Sequence, residues 1–132
     1  MKDKTLIPNY LPVWNSLVPT PTELRVSQDR KLLTVAFDSG ETFQMTAEYL
    51  RVESPSAEVQ GHDSSQKKTV PGKKDVQIMK MEPVGNYAVR IIFDDMHDTG
   101  IYSWDGLHRL GSKMDELWGN YLIQLQEKGL SR

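Results

Sequence analysis

The chain has three histidines and no cysteine, and one of those histidines sits among acids in Asp94-Asp95-Met96-His97-Asp98. A carboxylate beside an imidazole can fix its tautomer and orientation, so Asp94, Asp95 or Asp98 could prepare His97 as a general base or a metal ligand. A turn is the competing role, because aspartates bond nearby backbone amides and Asp98-Thr99-Gly100 meets that need without a ligand. His62, in Gln60-Gly61-His62-Asp63, is a second candidate: with His97 and Glu58 it would form a nitrogen and oxygen metal site. His108, beside Arg109, reads as a surface residue. Without cysteine there is no disulfide, thiolate metal site or thiol nucleophile.

Other reactive patterns are missing. The sequence contains no GxxxxGK[ST], GxGxxG, GxSxG or HExxH, the spacings that cradle phosphates, bind dinucleotides, expose a nucleophilic serine or hold catalytic zinc. A two-histidine, one-carboxylate iron site commonly uses His-x-Asp with a distant histidine. His97-Asp98 and His62-Asp63 are adjacent pairs, so no autonomous catalytic set is present and the chain is expected not to be an enzyme.

The elements that must position these residues follow from apolar periodicity. Residues 1–21 carry four prolines and form an N-terminal arm, with Leu11, Val13, Trp14 and Leu17 expected to lie on the domain. Period-two patterns then give a hairpin over 22–37. A turn at Asp38-Ser39-Gly40 leads to a third strand over Thr42–Met45 and a short helix over Ala47–Val52, capped by Thr46. Residues 53–75 show no sustained period and read as a long mobile loop, its lysines being solvent-facing since no aromatic residues interleave them. Strands resume over 76–84, 87–93 and 100–102. Ser103 caps a helix from Trp104 to about Leu110, ended by Gly111, and Ser112 with Asp115 has capping-box character. In the last helix Met114, Leu117, Trp118, Tyr121, Leu122 and Leu125 form one apolar stripe suited to covering a sheet.

Two segments echo each other. Leu33-Thr-Val-Ala-Phe37-Asp38 leads through a strand to Thr46-Ala-Glu48-Tyr-Leu50, and Val89-Arg-Ile-Ile-Phe93-Asp94 leads likewise to Ser103-Trp-Asp105-Gly-Leu107. Each is hairpin, hydroxyl cap, first-turn acid and leucine. The second copy is one residue longer between aspartate and cap, and Met96-His97-Asp98 is the material that distinguishes it.

At 132 residues with 26% charged, 38% hydrophobic and a net charge of −2, the chain fits one α+β domain and carries no global field toward nucleic acid. The expected fold is a mainly antiparallel sheet of five or six strands in hairpins, a short helix after each hairpin unit, and a C-terminal amphipathic helix on the sheet. No segment has the length of a membrane span or a signal peptide, which gives a cytoplasmic expectation.

Leu50-Arg51-Val52-Glu53-Ser54-Pro55-Ser56-Ala57-Glu58-Val59-Gln60-Gly61-His62, with Pro83-Val84-Gly85-Asn86-Tyr87 through His97-Asp98-Thr99-Gly100-Ile101-Tyr102-Ser103-Trp104, resembles the DUF971 family, the gamma-butyrobetaine hydroxylase-like N-terminal domain. The likeness runs from about Thr22 to Gly129, leaving 1–21 as the arm. It implies a small α+β domain found alone in bacteria, before 2-oxoglutarate oxygenase domains, or behind ATPases that carry iron–sulfur clusters. In the oxygenase branch the domain resembles a zinc module with three cysteines and one histidine, and those positions fall here on Ser54, Ser56, Val59 and His97. Serine hydroxyls and valine do not replace thiolates, so no structural zinc and no other cofactor is expected.

The resulting expectation is a stand-alone accessory domain with a protein partner, linked to iron–sulfur or metal handling or to an oxygenase-type partner. The alternative is a metal-binding protein using His97 and His62. His97, Asp94, Asp95, Asp98, His62, Glu58, Arg51 and Trp104 are the candidate ligand or partner residues.

Overall fold

The computed structural model describes residues 19–132. The expected arm at 1–21 lies outside them up to residue 18, and Pro21 already begins the first strand. Six strands and four helices follow: β1 Pro21–Val26, β2 Leu32–Phe37, β3 Thr42–Thr46, α1 Ala47–Val52, α2 Ala57–Gln60, β4 Ile78–Val84, β5 Ala88–Phe93, β6 Gly100–Ser103, α3 Trp104–Ser112 and α4 Met114–Glu127. The strands form two antiparallel three-stranded sheets, β1-β2-β3 and β4-β5-β6. The fold is therefore α+β, with its six strands divided between two sheets.

The internal echo is a real structural duplication. In each half the middle strand comes from the echoed apolar run, and a hydroxyl caps the helix behind the third strand: Thr46 Oγ1 accepts from Tyr49 N–H at 3.0 Å and Ser103 Oγ from Gly106 N–H at 3.0 Å. The turns match bond for bond. Phe37 N–H donates to Glu41 O and Gly40 N–H to Phe37 O, just as Phe93 N–H donates to His97 O and Met96 N–H to Phe93 O. Met96 stands where Gly40 stands, and both have positive φ, +73° and +93°. The added residue of the second copy thus enters after His97, at Asp98-Thr99, the C-terminal end of the Met96-His97-Asp98 material. The ladder fixes this, since Val35 pairs with Phe43 whereas the equivalent Ile91 pairs with Gly100, one residue further along the chain.

One core joins both halves. Leu33, Val35 and Met45 from the first sheet meet Ile78, Ile91, Phe93 and Tyr102 from the second, with Leu107 and Leu110 of α3. Two tyrosines stitch the halves together. Tyr49 OH donates to Leu110 O at 2.6 Å and Tyr102 OH donates to Leu50 O at 2.5 Å, so each hydroxyl satisfies a carbonyl near a helix end. In α4, Met114, Leu117 and Trp118 pack on this core, while Tyr121 and Leu125 are buried beside Val52. Leu122 is exposed, so the stripe is narrower than its sequence spacing suggests.

Two local expectations change. Gly111 does not end α3; it lies inside the helix because the Phe43 ring packs where a β-carbon would stand. The Ser112–Asp115 capping box does not form, and α4 starts at Met114 with Lys113 as an N-cap that makes no side-chain bond. Within 53–75 the chain makes α2 and a 3₁₀ turn at Ser64–Gln66. It is tied down by Lys68 N–H to Val59 O, Tyr121 OH to Val70 O and Lys67 Nζ to Glu53 Oε1.

Candidate functional site: a buried histidine clamp

The turn after β5 delivers His97 into the protein, 4% exposed, against the segment that joins α1 to α2. Ser54 follows α1 directly, and Ser56 caps α2 by accepting from Glu58 N–H at 3.2 Å. His97 Nε2 lies 2.8 Å from Ser54 Oγ, and Nδ1 lies 3.0 Å from Glu58 Oε1. A carboxylate only accepts, which makes Nδ1 the protonated nitrogen of the neutral ring and Nε2 the acceptor of the Ser54 hydroxyl proton. Ser56 Oγ bonds Thr99 Oγ1 at 2.7 Å, and Gln60 Nε2 donates to Ser54 O at 2.8 Å. Four side chains of 54–60 are thus pinned to the β5–β6 turn or to one another.

Beside the imidazole lies an ion cluster. Asp95 accepts from Arg51 Nε at 2.8 Å, Lys73 Nζ at 2.6 Å and the His97 backbone N–H at 3.2 Å. Burial works against the Asp95 charge, but Lys73 and Arg51 outweigh it and hold the carboxyl below its usual range. Burial, and after it the Arg51 charge, pushes the His97 pKa below the usual histidine value; Glu58 and Asp95 offset only part of this. Arg51 Nη1 is buried with no hydrogen-bond partner.

Glu58, His97 and Ser54 have the connectivity of an acid–base–hydroxyl relay. A nucleophile must also reach its substrate, and Ser54 has no exposed surface. A β-carbon on Gly100 would lie 2.9 Å from Ser54 Oγ and 3.0 Å from the Tyr102 ring, so no space for a reacting carbonyl adjoins the hydroxyl. The relay is closed to solvent at Ser54 and clamps the α1–α2 segment to the β5–β6 turn.

The remaining candidates separate from His97. Asp94 Oδ1 accepts from Gln77 N–H and Asp94 N–H donates to Gln77 O; Asp38 makes the same pair of bonds with Thr20 in the first half, which gives Asp94 a duplicated structural role. The Asp98 side chain is exposed, and its carbonyl accepts from Arg90. His62 is exposed in a turn where its N–H donates to Gln66 Oε1. Trp104, beyond the far end of β6, donates from Nε1 to Asn86 O. Among the described residues no group of three or more His, Asp or Glu is placed to hold a metal ion, so His62 does not join Glu58 and His97. His108 is half-buried, edge-on to Phe37 and Phe43, with Nε2 2.7 Å from Glu41 Oε1. Thr99, Gln60 and Lys73 were not singled out in the sequence; a lone threonine in an acidic turn carries no signal of its partner 43 positions away.

The matching family model is that of gamma-butyrobetaine hydroxylase-like, N-terminal domains, and it spans residues 24–108. The chain belongs to this family. It is similar to a DUF971-family protein of unknown function from Acidithiobacillus ferrooxidans, at 37% identity and a TM-score of 0.59, covering 70% of this chain and 92% of that one. Two solution NMR structures are also similar. One is 42% identical over 96% of this chain and 90% of the other, with a TM-score of 0.75; the second is 39% identical over 87% and 90%, with a TM-score of 0.76. No curated protein matches the chain. The positions to which the resemblance assigns zinc ligands in the oxygenase branch carry no thiolate here. Both nitrogens of His97 are engaged, Ser54 and Ser56 are neutral hydroxyls bonded within the clamp, and Val59 is a buried side chain with no ligand atom.

Proposed function

We propose that this gamma-butyrobetaine hydroxylase-like N-terminal domain is a non-enzymatic accessory module that works in the cytoplasm through a protein partner, the partner supplying iron–sulfur, metal or 2-oxoglutarate oxygenase chemistry. The supporting observation is the closed clamp: the groups best suited to chemistry, His97, Glu58, Ser54, Ser56 and Asp95, bond to one another, to Thr99 or to Arg51 and Lys73. Among the described residues Ser54 is fully buried. The turn that carries His97 inward presents Met96 outward, 88% exposed at positive φ, where an apolar side chain suits a contact surface better than water.

The test is affinity capture of the tagged full chain from its native cells, followed by identification of enriched proteins. Enrichment of a cluster-assembly or oxygenase component, reduced by Met96→Asp, is the expected result. Recovery of neither component contradicts the proposal. The metal-binding alternative through His97 and His62 has less support, because these side chains are not brought into one ligand group.

A further inference from the structure

In the first turn of α1, Glu48 is a buried acid, with its side chain 5% exposed. Its partner comes from 84 positions away: Arg132 donates from Nε to Glu48 Oε2 at 3.0 Å and from Nη2 to Glu48 Oε1 at 2.8 Å. The same guanidinium lies over the Trp118 ring, with Cζ 5.4 Å from the centroid. A forked carboxylate contact and an aromatic face are two characteristic ways of recognising a guanidinium.

The two sides of this contact are built differently. Glu48 is in the first turn of α1 and Trp118 is packed on the core, so the receptor is fixed by the fold. Arg132 is 46% exposed and lies five residues beyond α4, its approach held by Gly72 N–H to Ser131 O and Leu130 N–H to Leu125 O. It also lines a surface concavity of about 470 Å³ with Lys73, Lys74, Asp75, Asp94 and Asp95, which gives a path from solvent to its side chain.

We infer that Glu48 and Trp118 form a guanidinium-binding site that Arg132 occupies in cis and that an arginine side chain or a free guanidinium compound enters when Arg132 leaves. A tethered group competes at high effective concentration, so the intact chain masks the site. Vacating it raises the apparent affinity for a ligand in trans by the inverse of the open fraction.

The experiment follows backbone and indole NMR signals of wild type, Arg132→Ala and Arg132→Ala/Glu48→Gln during titration with methylguanidinium and, separately, with a blocked Gly-Arg-Gly peptide. Arg132→Ala is expected to show saturable shifts at Glu48 and the Trp118 indole at least about tenfold more sensitive to ligand than wild type. The double variant is expected to lose them, and methylammonium is expected to act more weakly than methylguanidinium. Saturation by the peptide identifies an arginine side chain as an accepted source, and saturation by methylguanidinium alone identifies a free compound. No saturable response in folded Arg132→Ala, or the same response without Glu48, overturns the inference. Should Arg132→Ala fail to fold, Arg132→Lys keeps the charge and loses the fork; methylguanidinium should then displace the lysine, and its failure to do so overturns the inference equally.

Discussion

The Ser54 hydroxyl lies 2.8 Å from His97 Nε2, joining the end of α1 to the β5–β6 turn across 43 residues of chain. Both groups are buried, so each is the other's replacement for water. Removing one leaves a buried polar atom behind, and the loss of partner costs more than the net value of the bond.

His97→Ala is therefore expected to destabilise the fold by about 1–3 kcal/mol, whereas Asp98→Ala, at an exposed site whose bond to Arg90 is made by the backbone carbonyl, should stay within about 0.5 kcal/mol of wild type. Urea unfolding with unchanged slope measures both. A Ser54→Ala/His97→Ala cycle should show a coupling of about 0.5–3 kcal/mol. Additive single-variant effects would mean that the two side chains do not act as a unit.

Acidification provides a separate check. The folded pKa of His97 lies below its unfolded value, so between the two the unfolded state binds more protons, and stability rises with pH there. The His97 contribution is fully present above about pH 6.5, is lost as pH falls through that value, and levels off below the folded pKa. Asp95, also lowered, contributes stability that is lost only as pH falls through the carboxylate range, which keeps the two windows apart. Urea midpoints between neutrality and mild acid should fall for wild type, and fall less for His97→Gln. A wild-type midpoint that rises on acidification would contradict this.

Two helical glycines should respond oppositely to alanine. Gly119 in α4 has nothing within 4 Å of an added β-carbon, so Gly119→Ala should gain up to about 1 kcal/mol from helix propensity. At Gly111 the β-carbon would fall 2.4 Å from the Phe43 ring, which is wedged against Phe37 and His108. Overpacking of about 1–3 kcal/mol should outweigh the propensity gain, and thermal melts of the two variants should move in opposite directions.

Much of this architecture was legible in local pattern. Thr46 before Ala47 and Ser103 before Trp104 marked helix starts because a hydroxyl cap acts within three residues, and the alternation in Leu33–Phe37 marked a central strand because its period is two. Gly111 misled because its role is set by Phe43, a residue on another element. Burial also divided the acidic turn in a way that the sequence could not. Asp94, Asp95 and Asp98 look equivalent in the chain, yet one repeats the tie made by Asp38, one neutralises Arg51 and Lys73, and one faces solvent. The resemblance put the missing zinc thiolates at Ser54, Ser56 and Val59, but gave no sign that Glu58 and Thr99 would complete a hydrogen-bonded clamp.

We propose that His97 is a bonded structural imidazole and that a partner supplies the chemistry. Nitrogen NMR of the imidazoles tests it most directly, recorded before and after one equivalent of zinc or iron(II). The account predicts a His97 ring that is neutral at neutral pH, protonated on Nδ1 and unmoved by either metal. A His97 resonance that shifts stoichiometrically with metal, and loses that shift in His62→Ala, would contradict it.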